Sequence, residues 1–268
     1  MPELPEVENV RKQLAPSFVS RTIQEIWAGP NSYFFITPPR QLKRELPGKK
    51  VRALARHGKY LVATLSDDSQ LLLHLGMTGQ LTTQVQEQDR HLHLIFKMSR
   101  GKTIYFRDVR KFGKVEWIAP GESSTRLEKL GPDALELEGE ALYRASRNRK
   151  IPVKTLLLDQ KVSAGIGNIY ADEALFRAGI RPSRPSSRLT KSEAIKLARE
   201  VRQILALAVS AGGSSINDYM QPNGNEGDFQ HLHKIYGKTG ETCSECEAKI
   251  QRVVLGGRSS HFCRRCQK

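Results

Sequence analysis

Two sets of residues in this chain have types and spacings that could do chemistry, one near each end. Met1, Pro2, Glu3 and Glu6 open the sequence. An initiator methionine before a small residue is ordinarily removed, which would leave Pro2 with a free secondary amine. An α-amino group titrates near about 8, roughly two units below lysine, so more of it is neutral and nucleophilic at neutral pH. Attack on a carbon bearing a leaving group, such as a sugar C1′, would give an iminium, an electron sink that eases later elimination. Glu3 and Glu6 are close enough in sequence to move protons. Taken alone, these residues also have a plainer reading, because a Pro-Glu pair at a helix start is ordinary capping chemistry.

The second set is the four cysteines, Cys243-x2-Cys246 and Cys263-x2-Cys266, separated by a 16-residue spacer. This is a zinc-ribbon spacing. Four thiolates close a tetrahedral site, which makes one bound Zn2+ structural. The alternative is four unrelated reduced cysteines.

Composition bounds the partner. Lys plus Arg number 43 against 28 Asp plus Glu, a formal charge of +15, and the pI is near 9.8. Such a balance calls for a polyanion, with nucleic acid ahead of an anionic membrane surface. Mean hydropathy is −0.47, and no apolar run is long enough for a transmembrane helix. The opening residues are acidic and proline-rich, unlike a secretory leader, so the expected location is cytoplasmic.

Several elements must position these residues. A helix is predicted from Pro5, with Val7, Val10 and Leu14 on one face and Pro16 ending it. Short β-branched and aliphatic runs at 51–56, 59–65, 70–75, 91–98, 103–107 and 114–118 predict an antiparallel sandwich or barrel. The second half is helical: Lys154 to Leu158, then a break at Gly165-Ile166-Gly167, then Asn168 to Ala178 with Asn168 as its cap. A longer helix starts at the capping box Thr190-x-x-Glu193, with Leu189 as a staple. Its predicted apolar face is Ile195, Val201, Ile204, Leu205 and Ala208, and Gly212-Gly213 stops it. The polar, Gly/Asn-rich stretch that follows predicts a mobile loop. The expected fold class is α+β multidomain. An N-terminal antiparallel β-sandwich with an N-terminal helix fills 1–135, and 136–150 is a linker. A helical domain fills 151–235 and includes a loop at 214–230. A four-cysteine zinc finger built as a β-hairpin fills 236–268.

The motifs between the two ends carry a resemblance. Met1-Pro-Glu-Leu-Pro-Glu-Val-Glu, Arg56-His-Gly-Lys59-Tyr-Leu, His74-Leu-Gly-Met77-Thr-Gly79 and Arg107-Asp-Val-Arg110-Lys-Phe112-Gly113 come first. Gly131-Pro132-Asp133, Leu156-Leu-Leu-Asp-Gln160, Ala164-Gly-Ile-Gly-Asn168-Ile-Tyr-Ala-Asp-Glu173 and Gly212-Gly-Ser-Ser215 follow, and the cysteine ribbon ends in Cys266-Gln-Lys. In this order, over nearly the whole chain, the sequence resembles the formamidopyrimidine-DNA glycosylase (Fpg, MutM) family.

That resemblance implies a bifunctional DNA glycosylase/AP lyase of base excision repair, with a helix–two-turn–helix (H2TH) domain, a monomer in the bacterial cytoplasm and nucleoid. Its partner is double-stranded DNA containing oxidised purines or abasic sites. By resemblance Pro2 is the nucleophile, Glu3 the general acid/base and Glu6 a supporting carboxylate, and Lys59 binds phosphate from a hairpin loop. His74 and His91 resemble phosphate or lesion-flanking contacts. Removing a base from the stack leaves a void and an orphaned partner, and unstacking costs a few kcal/mol. The family fills this void with a methionine, wedges in a phenylalanine and offers an arginine to the orphaned cytosine. Here Met77, Phe112 and Arg110 match, and an arginine fork suits the cytosine acceptors.

In the implied helix–two-turn–helix domain, Lys154 resembles a lysine near the damaged nucleotide. Asn168 resembles a phosphate ligand at a helix N-terminus, and Glu173 a carboxylate that supports it. Arg258 resembles the zinc-finger arginine that grips phosphates. The lesion-capping loop includes Ser214, Ile216, Asn217, Asp218 and Tyr219. There the Ser214 carbonyl would meet the N7–H of 8-oxoguanine, and the backbone amides of 216–219 would hold O6. Tyr236-Gly-Lys238 departs from the family's usual Tyr-Gly-Arg, and Thr78 stands where side chains vary. Neither is expected to touch the reaction.

Two other classes compete. A Nei-type relative would take oxidised pyrimidines, but its openings read Pro-Glu-Gly-Pro and lack the Met/Arg/Phe trio. A zinc-ribbon DNA binder without chemistry would not need Pro2, Glu3 and Lys59 together.

Overall fold

In the N-terminal half, apolar residues recur at the spacing of half-buried strands, and the chain folds accordingly. A computed structural model describes residues 2–30, 32–84, 89–216 and 219–268. Its first elements are α1 (Leu4–Phe18), β1 (Ile23–Ala28), α2 (Pro39–Glu45), β2 (Val51–His57), β3 (Tyr60–Leu65) and β4 (Gln70–His74). β5 (Gly79–Thr82), β6 (Leu92–Met98), β7 (Lys102–Asp108), β8 (Lys114–Ile118) and α3 (Thr125–Glu128) follow. The strands make two four-stranded antiparallel sheets, in the orders β1-β6-β7-β5 and β2-β3-β4-β8. Ile23, Leu94, Phe96 and Phe106 of the first sheet share one buried cluster with Leu61, Ala63, Leu73 and Val115 of the second. Val7, Val10, Leu14 and Phe18 of α1 join that cluster. The burial of these side chains drives the sandwich together.

Pro16 does not end α1, contrary to expectation. It lies inside the helix, which runs on to Phe18. The missing N–H of Pro16 costs one bond, but Phe18 packs edge-on to Phe96 at 5.6 Å and the Val19 amide still reaches the Ala15 carbonyl at 2.8 Å. Tertiary packing outweighs the local break. Strands β1 and β5 escape a reading of the sequence. β1 buries only every third residue at its start, and β5 is four residues long.

The second half holds α4 (Gly139–Ser146), α5 (Val153–Leu158), α6 (Asn168–Ala178), α7 (Lys191–Ser210), β9 (Ile250–Leu255) and β10 (Arg258–Cys263). The stretch expected as a linker at 136–150 therefore contains a helix, with Leu142 fully buried. α7 starts at the predicted capping box: the Thr190 amide donates to Glu193 Oε2 at 2.9 Å and the Glu193 amide to Thr190 Oγ1 at 3.2 Å. Its buried stripe is Ala194, Leu197, Ala198, Val201, Ile204, Leu205 and Ala208. Ile195, expected on that face, is 48% exposed, because it is turned about 100° from Ala194 around the helix.

By contacts the chain divides into two compact units, Met1–Glu128 with Ala211–Gln230, and Lys129–Ser210 with His231–Lys268. The loop expected within the helical domain thus groups with the sandwich. No helix among the described residues is long and apolar enough to cross a membrane.

Candidate active site and nucleic-acid interface

Pro2 is buried and directly precedes Glu3, the N-cap of α1. Glu6 is the residue that organises this end. Its Oε2 accepts the Glu3 amide at 2.7 Å, and its Oε1 accepts the Ser214 amide at 2.8 Å. A single buried carboxylate therefore ties the amine-bearing terminus to the glycine-rich loop. Tyr219 reinforces the tie, since its hydroxyl donates to the Glu6 carbonyl at 3.3 Å and its ring belongs to the sandwich core. Burial and the Glu6 charge push the Tyr219 phenol far above its ordinary range, so it stays protonated.

These bonds explain why the loop groups with the sandwich. Gln221 pairs with Gln13 of α1, and Thr82 of β5 donates to the Pro222 carbonyl at 2.9 Å. Ser215 Oγ accepts the Gly227 amide at 2.8 Å, and Phe229 is fully buried. The described part of the predicted mobile loop is well fastened. Ile216 is half-buried within it. Asn217 and Asp218 lie outside the described residues.

Lys59 occupies the two-residue turn between β2 and β3 and is 7% exposed. Arg56 supports that turn, with Nη1 on the Gly58 carbonyl at 3.0 Å and Nε on Glu8 Oε2 of α1 at 3.1 Å. Burial would raise the Glu8 carboxyl, but hydrogen bonds and charge from Arg11 and Arg56 outweigh it and hold Glu8 below the usual range. A strut thus joins the helix that begins at the amine to the hairpin that carries Lys59.

His74 ends β4. Burial and the cations Lys59, Lys114 and Arg126 lower its pKa to about 4, so the ring is neutral at pH 7. Its Nδ1 lies 3.1 Å from the Gly76 amide and accepts from it. This bond leaves the proton on Nε2 as a donor for an anion.

Met77 and the Arg110–Phe112 pair sit on two separate turns held as one piece. Asp108 is fully buried. Its Oδ1 accepts Thr78 Oγ1 at 2.5 Å and the Arg110 amide at 3.2 Å, and its Oδ2 accepts the Gly113 amide at 2.7 Å. Gly76 lets the turns touch: a Cβ there would lie 2.4 Å from the Phe112 carbonyl carbon, and its φ is +66°. No other residue fits that approach. The guanidinium of exposed Arg110 lies 4.7 Å from the centre of the Phe112 ring, which is 41% exposed. His91 precedes β6, and its carbonyl accepts the Asp108 amide at 2.9 Å, so it borders the same clasp.

In the other unit, Lys154 lies deep in the fold. The resemblance implies a place at the DNA, yet its side chain is 0% exposed. Its Nζ pairs with Asp172 Oδ1 at 2.7 Å and donates to the Ser259 carbonyl at 2.7 Å. Asp172 Oδ2 also takes the His261 amide and Nδ1, each at 2.9 Å. Lys154 thereby holds α5 and α6 to the strand that begins at Arg258. The adjacent carboxylate, Glu173, accepts the amides of Lys234, Ile235 and Tyr236 at 2.9–3.1 Å. It fastens the segment entering the cysteine module.

Asn168 is the first residue of α6, and Gly167 is the N-cap, another correction. The buried Asn168 Oδ1 has no hydrogen-bond partner among the described residues. Arg258 is exposed and follows the Gly256-Gly257 turn, whose φ values of +54° and +73° suit a two-residue hairpin.

The four cysteine Sγ atoms lie within 4.8 Å of one another, with Cys243–Cys266 at 3.9 Å and Cys246–Cys263 at 3.4 Å. Sulfur ligands at roughly 2.3 Å around a tetrahedral ion imply separations of about 3.8 Å, whereas a disulfide needs about 2 Å. The set fits one structural zinc. Sequence reasoning does not single out Asp108, Thr78 or Asp172 as site residues. Asp172 does carry a signal: two adjacent carboxylates in the middle of a mostly apolar helix. For Asp108 it is an Asp two residues ahead of a turn amide it can accept.

A two-sheet sandwich, a pair of helices broken at Gly165–Gly167 and a four-cysteine hairpin together define a zinc-finger DNA glycosylase fold. Residues 1–115 match the family model of the formamidopyrimidine-DNA glycosylase N-terminal domain, 130–220 its H2TH domain and 240–268 the zinc finger found in FPG and IleRS. The formamidopyrimidine-DNA glycosylases of Paracoccus denitrificans and Desulfitobacterium hafniense are each 42% identical, over 100% of both chains. The crystal structure of MutM (FPG) from Thermus thermophilus is 37% identical, with a TM-score of 0.90, covering 99% of this chain and 98% of that one. A Lactococcus lactis FPG mutant in complex with Fapy-dG containing DNA is 37% identical over 100% of both chains, with a TM-score of 0.90. This chain belongs to the formamidopyrimidine-DNA glycosylase family.

Proposed function

We propose that this enzyme excises oxidised purines, 8-oxoguanine opposite cytosine and formamidopyrimidines, from duplex DNA and then cuts the strand as an AP lyase. The observation that carries the proposal is the Glu6 carboxylate, which binds the Glu3 amide beside Pro2 and the Ser214 amide of the capping loop. Chemistry and lesion reading are thereby tied at one buried group. The N-terminus of α1 adds a partial positive charge next to the amine, which disfavours its protonated form.

Once Met1 is removed, the neutral Pro2 amine attacks C1′ of the flipped nucleoside. The N–C1′ bond forms as the bond to the base breaks, the departing base takes up the proton the amine releases, and Glu3 protonates the sugar oxygen as the ring opens. The resulting iminium acidifies C2′. Loss of that proton expels the 3′ phosphate, and a second elimination expels the 5′ phosphate. A one-nucleotide gap with phosphate at both ends remains.

Met77, Arg110 and Phe112 occupy the void, answer the orphaned cytosine and wedge the stack. Lys59, His74, His91, Asn168 and Arg258 take phosphates, Asn168 through its Nδ2 donor. The Ser214 carbonyl and the amides of 216–219 read the lesion. Zinc, held by Cys243, Cys246, Cys263 and Cys266, keeps the hairpin that presents Arg258 and takes no part in the reaction. A Lactococcus lactis relative complexed with abasic site containing DNA, 36% identical with a TM-score of 0.89, supports the substrate class.

Borohydride trapping tests the reading. A covalent protein–DNA adduct is expected on an 8-oxoguanine:cytosine duplex. Trapping on thymine glycol alone would assign the enzyme to pyrimidine lesions, and no adduct on either duplex would mark a binder without chemistry.

A further inference from the structure

The loop between β1 and α2 carries three consecutive aromatic residues, Tyr33, Phe34 and Phe35, and treats them differently. Phe34 is fully buried against Phe106, Phe35 and His93, with ring centroids 4.9–5.0 Å away. The Ile36 amide donates to the Val115 carbonyl at 2.8 Å, and the Val115 amide to the Phe34 carbonyl at 3.1 Å. A turn closed by the Phe35 amide on the Ser32 carbonyl, 3.0 Å, throws Tyr33 outward. Tyr33 is 57% exposed, yet both ends of its side chain are engaged.

Its hydroxyl donates to the Arg110 carbonyl at 2.8 Å. Its ring lies 6.4 Å from the Phe112 ring, tilted at 51°. The Lys114 ammonium sits 4.5 Å from the Tyr33 ring centre, just as the Arg110 guanidinium sits 4.7 Å from that of Phe112. Cation, ring, ring and cation form one layer, half-buried at Lys114 and exposed from Tyr33 to Arg110. Ring pairs at such spacing and cations over rings are each modestly attractive, so the layer stiffens the turn from outside while Asp108 holds it from inside. An exposed tyrosine engaged this way has little to gain from burial and much to give to posture.

We infer that Tyr33 is a positioning residue for opposite-base recognition. It fixes the Arg110 backbone and flanks Phe112, so that guanidinium and wedge meet the orphaned base already arranged. Preorganised groups avoid the ordering cost on binding. The inference rests on the proposed role of Arg110 at the orphaned cytosine.

The test compares kcat/KM on 8-oxoguanine:cytosine and 8-oxoguanine:adenine duplexes, alongside cleavage of a single-stranded abasic oligonucleotide, which has no opposite base. Tyr33→Phe removes only the hydroxyl bond and is expected to lower the C-over-A ratio about 5-fold, the order one hydrogen bond supports. Tyr33→Ala lowers it further, and single-strand cleavage stays at the parent rate in both. If both variants keep the parent ratio while Arg110→Ala lowers it, the inference alone is overturned. If Arg110→Ala also leaves the ratio unchanged, the underlying reading falls and takes the inference with it. Equal losses on duplex and single strand would show a general folding defect and overturn the positioning role.

Discussion

The two units hold their functional residues by different means. In the sandwich unit the proposed acting groups stand at a chain end and on turn tips, and buried carboxylates brace the chain beside them: Glu6 on the Glu3 amide, Asp108 on Thr78 and on the Arg110 and Gly113 amides. In the helical unit the acidic and basic residues are themselves the buried frame. Lys154, Asp172 and Glu173 are sealed from solvent, while Arg258 reaches the surface. The lesson is that a charged residue shared with a DNA-binding family can contact DNA or can build what contacts it. Burial and bonding partners separate the two roles.

Zinc removal should break the comparison most forcefully. Structural zinc contributes apparent binding energies of about 10–16 kcal/mol in finger peptides, so chelation should release the hairpin and abolish DNA binding. Both tryptophans, Trp27 and Trp117, lie in the sandwich unit. Tryptophan emission should therefore stay unchanged while gel-shift affinity disappears. A simultaneous collapse of both signals would deny the units their separate means of support.

The Lys154–Asp172 pair comes next. Lys154→Met leaves a fully buried carboxylate without its cation, a change that costs about 3–5 kcal/mol, read as a fall in unfolding free energy by urea denaturation. Adding Asp172→Leu should recover part of that loss, although His261 then lacks its acceptor. A single variant as stable as the parent would show that the pair does not carry the frame.

A smaller effect is common to both units. His74 in the sandwich unit and His233 in the helical unit each have a pKa lowered to about 4, by burial first and then by nearby cations. Unfolded histidine takes its proton near 6.5. The stabilisation these rings contribute is thus complete above that pH and is lost as pH falls from 6.5 towards 4. NMR titration should place both midpoints near 4. A midpoint near 6.5 for either ring would mean that it is solvated rather than enclosed.

Much of this was legible in the sequence because it depended on local pattern. The cysteine spacing, the capping box at Thr190 and the alternating strands from Val51 onward state their roles within a few residues. What stayed hidden depended on distant partners. Nothing near Lys154 shows that Asp172 and Ser259 enclose it, 18 and 105 positions away. Pro16 reads as a helix stop until Phe96 is there to hold Phe18. Tyr33 looks like one aromatic among three until the Arg110 carbonyl gives it a partner. The proposed sites of chemistry stand in the sequence as motifs, whereas their supports are visible only in the fold.

The central claim is that the Pro2 amine performs the attack. Its most direct test is to digest the borohydride-reduced adduct formed with 8-oxoguanine:cytosine DNA and sequence the cross-linked peptide by mass spectrometry. The adduct should map to Pro2 at the N-terminus of a chain that lacks Met1, and preparations retaining Met1 should bind DNA without forming it. Attachment at Lys59 or any other lysine, or an adduct on a chain that still begins with Met1, would contradict the account.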